Sequence, residues 1–97
     1  MKWIEIITVR TAGTLGTEVV ADILRGIGSN AGREKPVMVK LFSHATVESD
    51  LSIHIHWEAS RMDHRKSSIG LELAGLLGDF GLVNHSVWIE EKIVGES

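Results

Sequence analysis

The chain has no cysteine, no tyrosine, a single proline and no long apolar run, and each lack removes a class of protein. Without cysteine there is no disulfide scaffold, no zinc ribbon and no thiol nucleophile. Without tyrosine there is no phenolic general acid. The apolar start from Trp3 to Val9 is broken by Glu5 and Thr8 and closed by Arg10. It therefore lacks the unbroken stretch of roughly 7–15 residues and the small-residue cleavage site of a signal peptide. Nothing approaches the ~20 apolar residues that span a bilayer. Positive charge is also scarce. Ten Lys and Arg face thirteen Asp and Glu, for a formal net charge of −3, the wrong balance for a nucleic-acid binder. The expectation is a cytoplasmic protein with neither nucleic acid nor membrane as partner.

What is present is a globular composition, 43% hydrophobic and 24% charged over 97 residues, which fits one domain spanning 1–97. A domain of this size has a thin core, and part of its surface commonly seeks a partner. Trp3 to Val9 reads as a first strand. Leu15, Val19, Val20, Ile23, Leu24 and Ile27 then recur at helical spacing, with Thr14 or Thr17 available as the N-cap. Residues 28–36 form a loop. Val37 to about Val47 and Leu51 to Glu58 read as two further strands joined by a tight loop at Glu48-Ser49-Asp50. The second of these alternates: Leu51, Ile53, Ile55 and Trp57 share one face, and Ser52, His54, His56 and Glu58 the other. A hairpin register that respects this parity pairs His44 with His54, Phe42 with His56 and Lys40 with Glu58, and neighbouring even registers satisfy it equally.

After a polar connection over 59–66, Ser67 or Ser68 caps a second helix carrying Ile69, Leu73, Leu76, Leu77 and Phe80. Gly70, Gly75 and Gly78 inside it each cost about 1 kcal/mol relative to Ala, a cost accepted where a backbone must approach something closely. Gly81 fits a left-handed C′ position. Val83 to Val94 reads as the last strand, with Asn84, Ser86 and Trp88 on one face and Val83, His85 and Val87 on the other.

The order β-α-β-β-α-β with right-handed crossovers predicts a ferredoxin-like α+β fold, an antiparallel sheet of order 4-1-3-2 with both helices on one face. Because the first strand is apolar in both parities (Ile4 and Ile6, or Ile7 and Val9), the sequence leaves open which face packs the helices. The helix-free face is either solvated or covered by a second copy. Together with the run Asp50-Leu51-Ser52-Ile53-His54-Ile55-His56-Trp57-Glu58, this element order resembles the dimeric α+β barrel superfamily, and within it the antibiotic-biosynthesis-monooxygenase-like group. The resemblance implies a homodimer whose sheets face each other, with a pocket between sheet and helices or at the dimer seam. Cofactor-free monooxygenases, haem-degrading enzymes and lactone isomerases share that superfamily. The haem-degrading branch uses an Asn on the first strand and a Trp and a His on the second helix, all absent here. No catalytic residue is carried over.

The sharpest local feature is His54, His56 and Glu58 on one strand face, with successive Cβ atoms ~6.6 Å apart. The hairpin offers His44 as a neighbour. Imidazoles that titrate near neutral pH can handle protons in a cofactor-independent oxygenase or an isomerase. His54, His56 and Glu58 are also a weak metal-ligand set, set against the plainer reading of a solvated face. No cofactor and no metal is assigned. Arg65 and Lys66 adjoin a helix start and can attract a phosphate or carboxylate. Trp88, on a polar face, can line a pocket for a flat or apolar small molecule. The sequence thus supports a small-ligand binding protein, with an oxygenase or isomerase as the alternative.

Overall fold

The structure is a computed structural model and describes residues 1–11, 16–29, 35–58 and 65–95. The alternative helix start at Thr14, the centre of the 28–36 loop and the run Arg61–His64 lie outside those residues. Six elements follow the expected order: β1 Lys2–Thr11, α1 Thr17–Ser29, β2 Met38–Ser43, β3 Asp50–Glu58, α2 Ser68–Leu77 and β4 Gly81–Ile89. They build one antiparallel sheet of order β2-β3-β1-β4, as predicted.

Parity settles which face is covered. The odd-numbered residues Ile7, Val9, Leu51, Ile53 and Ile55 are buried in one cluster with Val20 and Ile27 of α1 and Ile69, Leu73 and Leu77 of α2. Full burial of each such side chain contributes about 1.5–3 kcal/mol. The even-numbered residues of the strands lie on the helix-free face, His54 and His56 among them.

Three expectations are corrected. First, the hairpin pairs Lys40 with His54, Met38 with His56 and Phe42 with Ser52, so His44 does not sit opposite His54. The cause is local. His44 Nδ1 accepts from the backbone N–H groups of Thr46 at 3.1 Å and Val47 at 3.0 Å. This side-chain cap replaces ladder bonds and ends β2 at Ser43, leaving a six-residue turn where a tight one was expected. Second, β4 stops at Ile89 instead of reaching Val94. Ile89 pairs with Trp3, and Glu90 N–H donates to the Lys2 carbonyl at 2.9 Å, after which β1 offers no further partner. Third, α2 ends at Gly78 in right-handed conformation (φ −58°), so Gly81 is not its C′ residue. Gly81 instead opens β4 opposite Thr11, where a Cβ would overlap the Arg10 carbonyl.

The interior glycines of α2 therefore differ. Gly75 has open space where a Cβ would stand, so no close approach explains it. We predict that Gly75→Ala raises the unfolding free energy by up to about 1 kcal/mol, the ordinary helix-propensity gain. Gly81→Ala lowers it by about 1–3 kcal/mol, the usual cost of overpacking. Urea unfolding of the two variants checks both signs.

Candidate functional site

On the helix side, the centre of β1 holds a carboxylate with no solvent exposure at all, Glu5. A charge withdrawn from water costs several kcal/mol unless its lone pairs are used, and here all are. Glu5 Oε2 accepts from Trp57 Nε1 at 2.8 Å and from the Ser67 hydroxyl at 2.5 Å. Glu5 Oε1 accepts from Ser67 N–H at 2.8 Å and lies 3.0 Å from His85 Nε2. Ser67 Oγ already accepts from Gly70 N–H at 2.9 Å, so its own proton must point to the carboxylate. Ser67 is the N-cap of α2, and the positive end of that helix faces the negative group. Gly70 is now explained as well. A Cβ there would overlap the Glu5 carboxylate and crowd His85.

The opposite, helix-free face reads as cross-strand rows. Met38, His56, Ile4 and Trp88 form one row. Lys40, His54, Ile6 and Ser86 form the next, and Phe42, Ser52, Thr8 and Asn84 a third. Two hollows lie on this face. The larger, about 700 Å³, includes Phe42, His44, Ser52, His54, Leu82 and Asn84. The smaller, about 480 Å³, includes Ile4, Met38, Lys40, His56, Glu58 and Trp88.

His54 Nε2 lies 3.1 Å from Ser52 Oγ, and its ring tilts against Phe42 with centroids 4.5 Å apart. Withdrawal from water, and then the neighbouring His56 and Lys40, hold its pKa below the ordinary histidine value. A ring kept neutral in this way can accept a proton. His56 Nε2 is buried and has no hydrogen-bond partner among the described residues.

The expected site residues fall in two groups that the fold keeps apart. His54, His56, Glu58 and Trp88 share the helix-free face, with His44 at its loop end. Trp88, 58% exposed, donates from Nε1 to Ser86 Oγ at 2.8 Å. Arg65 and Lys66 lie on the other side of the sheet, beside the stacked rings of Trp3 and Trp57. With Ser67 and Leu71 they line a hollow of about 510 Å³. Among the described residues, no group of three or more His, Cys, Asp or Glu is placed to hold a metal ion. The metal reading of His54, His56 and Glu58 therefore gains no support.

Sequence reasoning missed Glu5 and His85. The signal was present. Glu5 shares its parity with Trp3, Ile7 and Val9, and His85 with Val83 and Val87. Each is thus a titratable residue on an otherwise apolar strand face.

No family model matches the chain, and no curated protein matches it in sequence. Solved structures match it over nearly its whole length. Rv0793 from Mycobacterium tuberculosis is 13% identical, covering 98% of this chain and all of that one, with a TM-score of 0.62. SnoaB from Streptomyces nogalater, a cofactor-independent oxygenase, is 15% identical over 98% of this chain and 96% of its own, with a TM-score of 0.59. A candidate antibiotic biosynthesis monooxygenase from Bordetella bronchiseptica is 19% identical over 96% and 98%, with a TM-score of 0.58. At these identities the likeness defines the fold. The chain has a ferredoxin-like α+β fold, the fold of these solved structures.

Two predictions follow from the two faces. Glu5→Ala strands the Trp57, Ser67 and His85 donors and lowers stability by about 3–5 kcal/mol. Glu5→Gln, which turns an amide donor toward donors, rescues little of that loss in urea unfolding. Because the folded pKa of His54 is lowered, the unfolded chain binds a proton first as pH falls. The residue costs nothing above about pH 6.5 and destabilises the fold in the window beneath it. His54→Gln flattens the stability-versus-pH curve in that window.

Proposed function

We propose that two copies close their helix-free faces into a dimeric α+β barrel, a cytoplasmic homodimer that binds a small molecule in the chamber between the sheets. One observation carries this reading, the distribution of polarity across the face. The edge strands raise exposed apolar side chains, Met38 and Phe42 from β2 and Leu82 and Trp88 from β4. The inner strands hold His54, His56 and Ser52 from β3 and Thr8 from β1, beside Ile4 and Ile6, while Lys40, Asn84 and Ser86 stand between the apolar side chains of the edges. Interfaces that pack flush have the reverse arrangement, an apolar centre and a polar rim. A twin resting on these rims covers the apolar side chains and encloses the polar floor, which supplies hydrogen bonds to a ligand. The hollows on one copy already fall in the range of about 300–1,000 Å³ usual for small-molecule sites.

A second reading assigns chemistry to that chamber, a cofactor-independent oxygenation or an isomerisation with His54 handling the proton. What favours it is the neutral His54 ring, held against Phe42 within the larger hollow. SnoaB, a cofactor-independent oxygenase, shares the fold.

Sedimentation of the native chain is expected to show a dimer at micromolar concentration. Trp88→Glu and Leu82→Glu are each expected to raise its dissociation constant at least tenfold. A native monomer, or variants that dimerise normally, overturns the barrel. His54→Ala is expected to leave the dimer intact. It separates the two readings, since loss of turnover with binding retained supports the enzyme and unchanged behaviour of both removes it.

A further inference from the structure

The register carries the helix-free face one row past Phe42, Ser52, Thr8 and Asn84. His44 N–H donates to the Asp50 carbonyl at 2.9 Å, and Asp50 pairs with Arg10 and Arg10 with Leu82. This row, His44, Asp50, Arg10 and Leu82, closes the larger hollow at its loop end. Arg10 Nε lies 3.3 Å from Asp50 Oδ1 and 3.4 Å from Oδ2. An arginine and a carboxylate that meet fork to fork use two nitrogens, one for each oxygen. Here both oxygens share Nε. The terminal nitrogens of Arg10 therefore have no hydrogen-bond partner among the described residues, and each Asp50 oxygen keeps a lone pair.

Charge decides what such a pair can take. It is balanced, so a carboxylate would meet Asp50 and a cation would meet Arg10, and neither gains from the site. What the pair offers is a donor and an acceptor side by side, the donor on a rigid planar fork. The complement is an acceptor next to a donor in one plane, the C=O and N–H of a cis amide closed into a ring. The walls suit a flat ring. Phe42 is 44% exposed and Leu82 77% exposed, and the His54 ring leaning on Phe42 extends the aromatic floor. Small-molecule sites bury ligand faces against such side chains and fix orientation with a few placed polar groups.

We propose that the larger hollow binds a neutral, flat lactam. The ring carbonyl accepts from the terminal N–H groups of Arg10, the ring N–H donates to Asp50, and the ring faces lie against Phe42 and Leu82. The binding mode rests on the small-molecule chamber proposed above and gives the class of its occupant. The Asp50 side chain is 21% exposed and that of Arg10 72%, so the acceptor is already seated in the sheet and the donor arm is the part that adjusts. A twin over this face withdraws water from both. The unused edges of the pair then cost free energy unless a ligand meets them, and a lactam meets both at once. An analogue without the N–H leaves an Asp50 lone pair facing an alkyl group, and sites built on hydrogen bonds reject such analogues strongly.

The probe is carbostyril, a benzo-fused lactam, titrated calorimetrically into the native chain. Three analogues isolate its parts: N-methylcarbostyril lacks the N–H, quinoline lacks the amide, and quinaldate carries a carboxylate in its place. The expected result is saturable binding of carbostyril, with each analogue weaker by at least about tenfold. Arg10→Met, at an exposed side chain, is expected to weaken carbostyril by at least about fivefold and to leave quinoline unchanged. Equal binding of the methylated analogue, or tighter binding of quinaldate, overturns the lactam class. Unchanged carbostyril affinity in Arg10→Met places the ligand elsewhere and overturns it too. A native dimer that binds none of the four also overturns the lactam and leaves the barrel standing. A native monomer overturns the barrel instead, and the preference of the open hollow for carbostyril over its methylated analogue then decides the lactam edge on its own.

Discussion

A buried carboxylate demands a hydrogen bond for each of its lone pairs, and in this chain the demand of Glu5 decides where α2 begins. Ser67 meets it twice, through its amide and its hydroxyl, while capping the helix through Gly70. Because the N-cap and the carboxylate share one hydroxyl, the helix cannot slide along the sheet without breaking both. Trp57 and His85 complete the ring from β3 and β4. One side chain on β1 thus ties both neighbouring strands and a helix to a single point. Such cooperative networks are costly when partly satisfied and rigid when complete.

That use of polar groups divides the molecule. On the helix side, Glu5, Ser67 and His85 are spent on one another and hidden from solvent. On the other side His54, His56, Glu58 and Lys40 are held by the same strands but are not consumed by mutual bonds. His54 meets Ser52 and Phe42, and His56 Nε2 has no hydrogen-bond partner among the described residues. The sheet therefore carries a structural polar cluster on one face and unspent polar groups on the other, separated only by the strand pleat. Groups available to a ligand are the second kind.

Much of this was legible from the sequence. Strand parity placed His54, His56 and Glu58 together and set Trp57 with Ile53 and Ile55, because alternation has a period of two whatever the tertiary context. Element order gave the sheet order, since right-handed crossovers leave few alternatives. The hairpin register was not legible. It depends on the imidazole of His44 capping its own loop, a local competition that strand propensity does not register. The end of β4 was equally hidden, because Glu90 to Val94 is set by where β1 runs out and not by anything in the residues themselves. Glu5 was visible but read as an interruption of an apolar run, and because β1 is apolar in both parities only the packing of the helices decided that its face is the buried one.

The state of His54 links the two halves of the reading. Its pKa is lowered chiefly by withdrawal from water and further by the adjacent His56 and Lys40. In the proposed dimer, covering the helix-free face with a twin would withdraw more water from the same ring, so association would favour its neutral form. By reciprocity the neutral ring favours association. Protonating His54 would place a positive group near Lys40 on a floor that the proposed twin would seal from solvent, where unpaired charge is most costly. In the proposed chamber, protonation of His54 would thus work against closure. In that proposed assembly a ligand that stabilises neutral His54 would favour the closed pair, and one that leaves the ring charged would disfavour it.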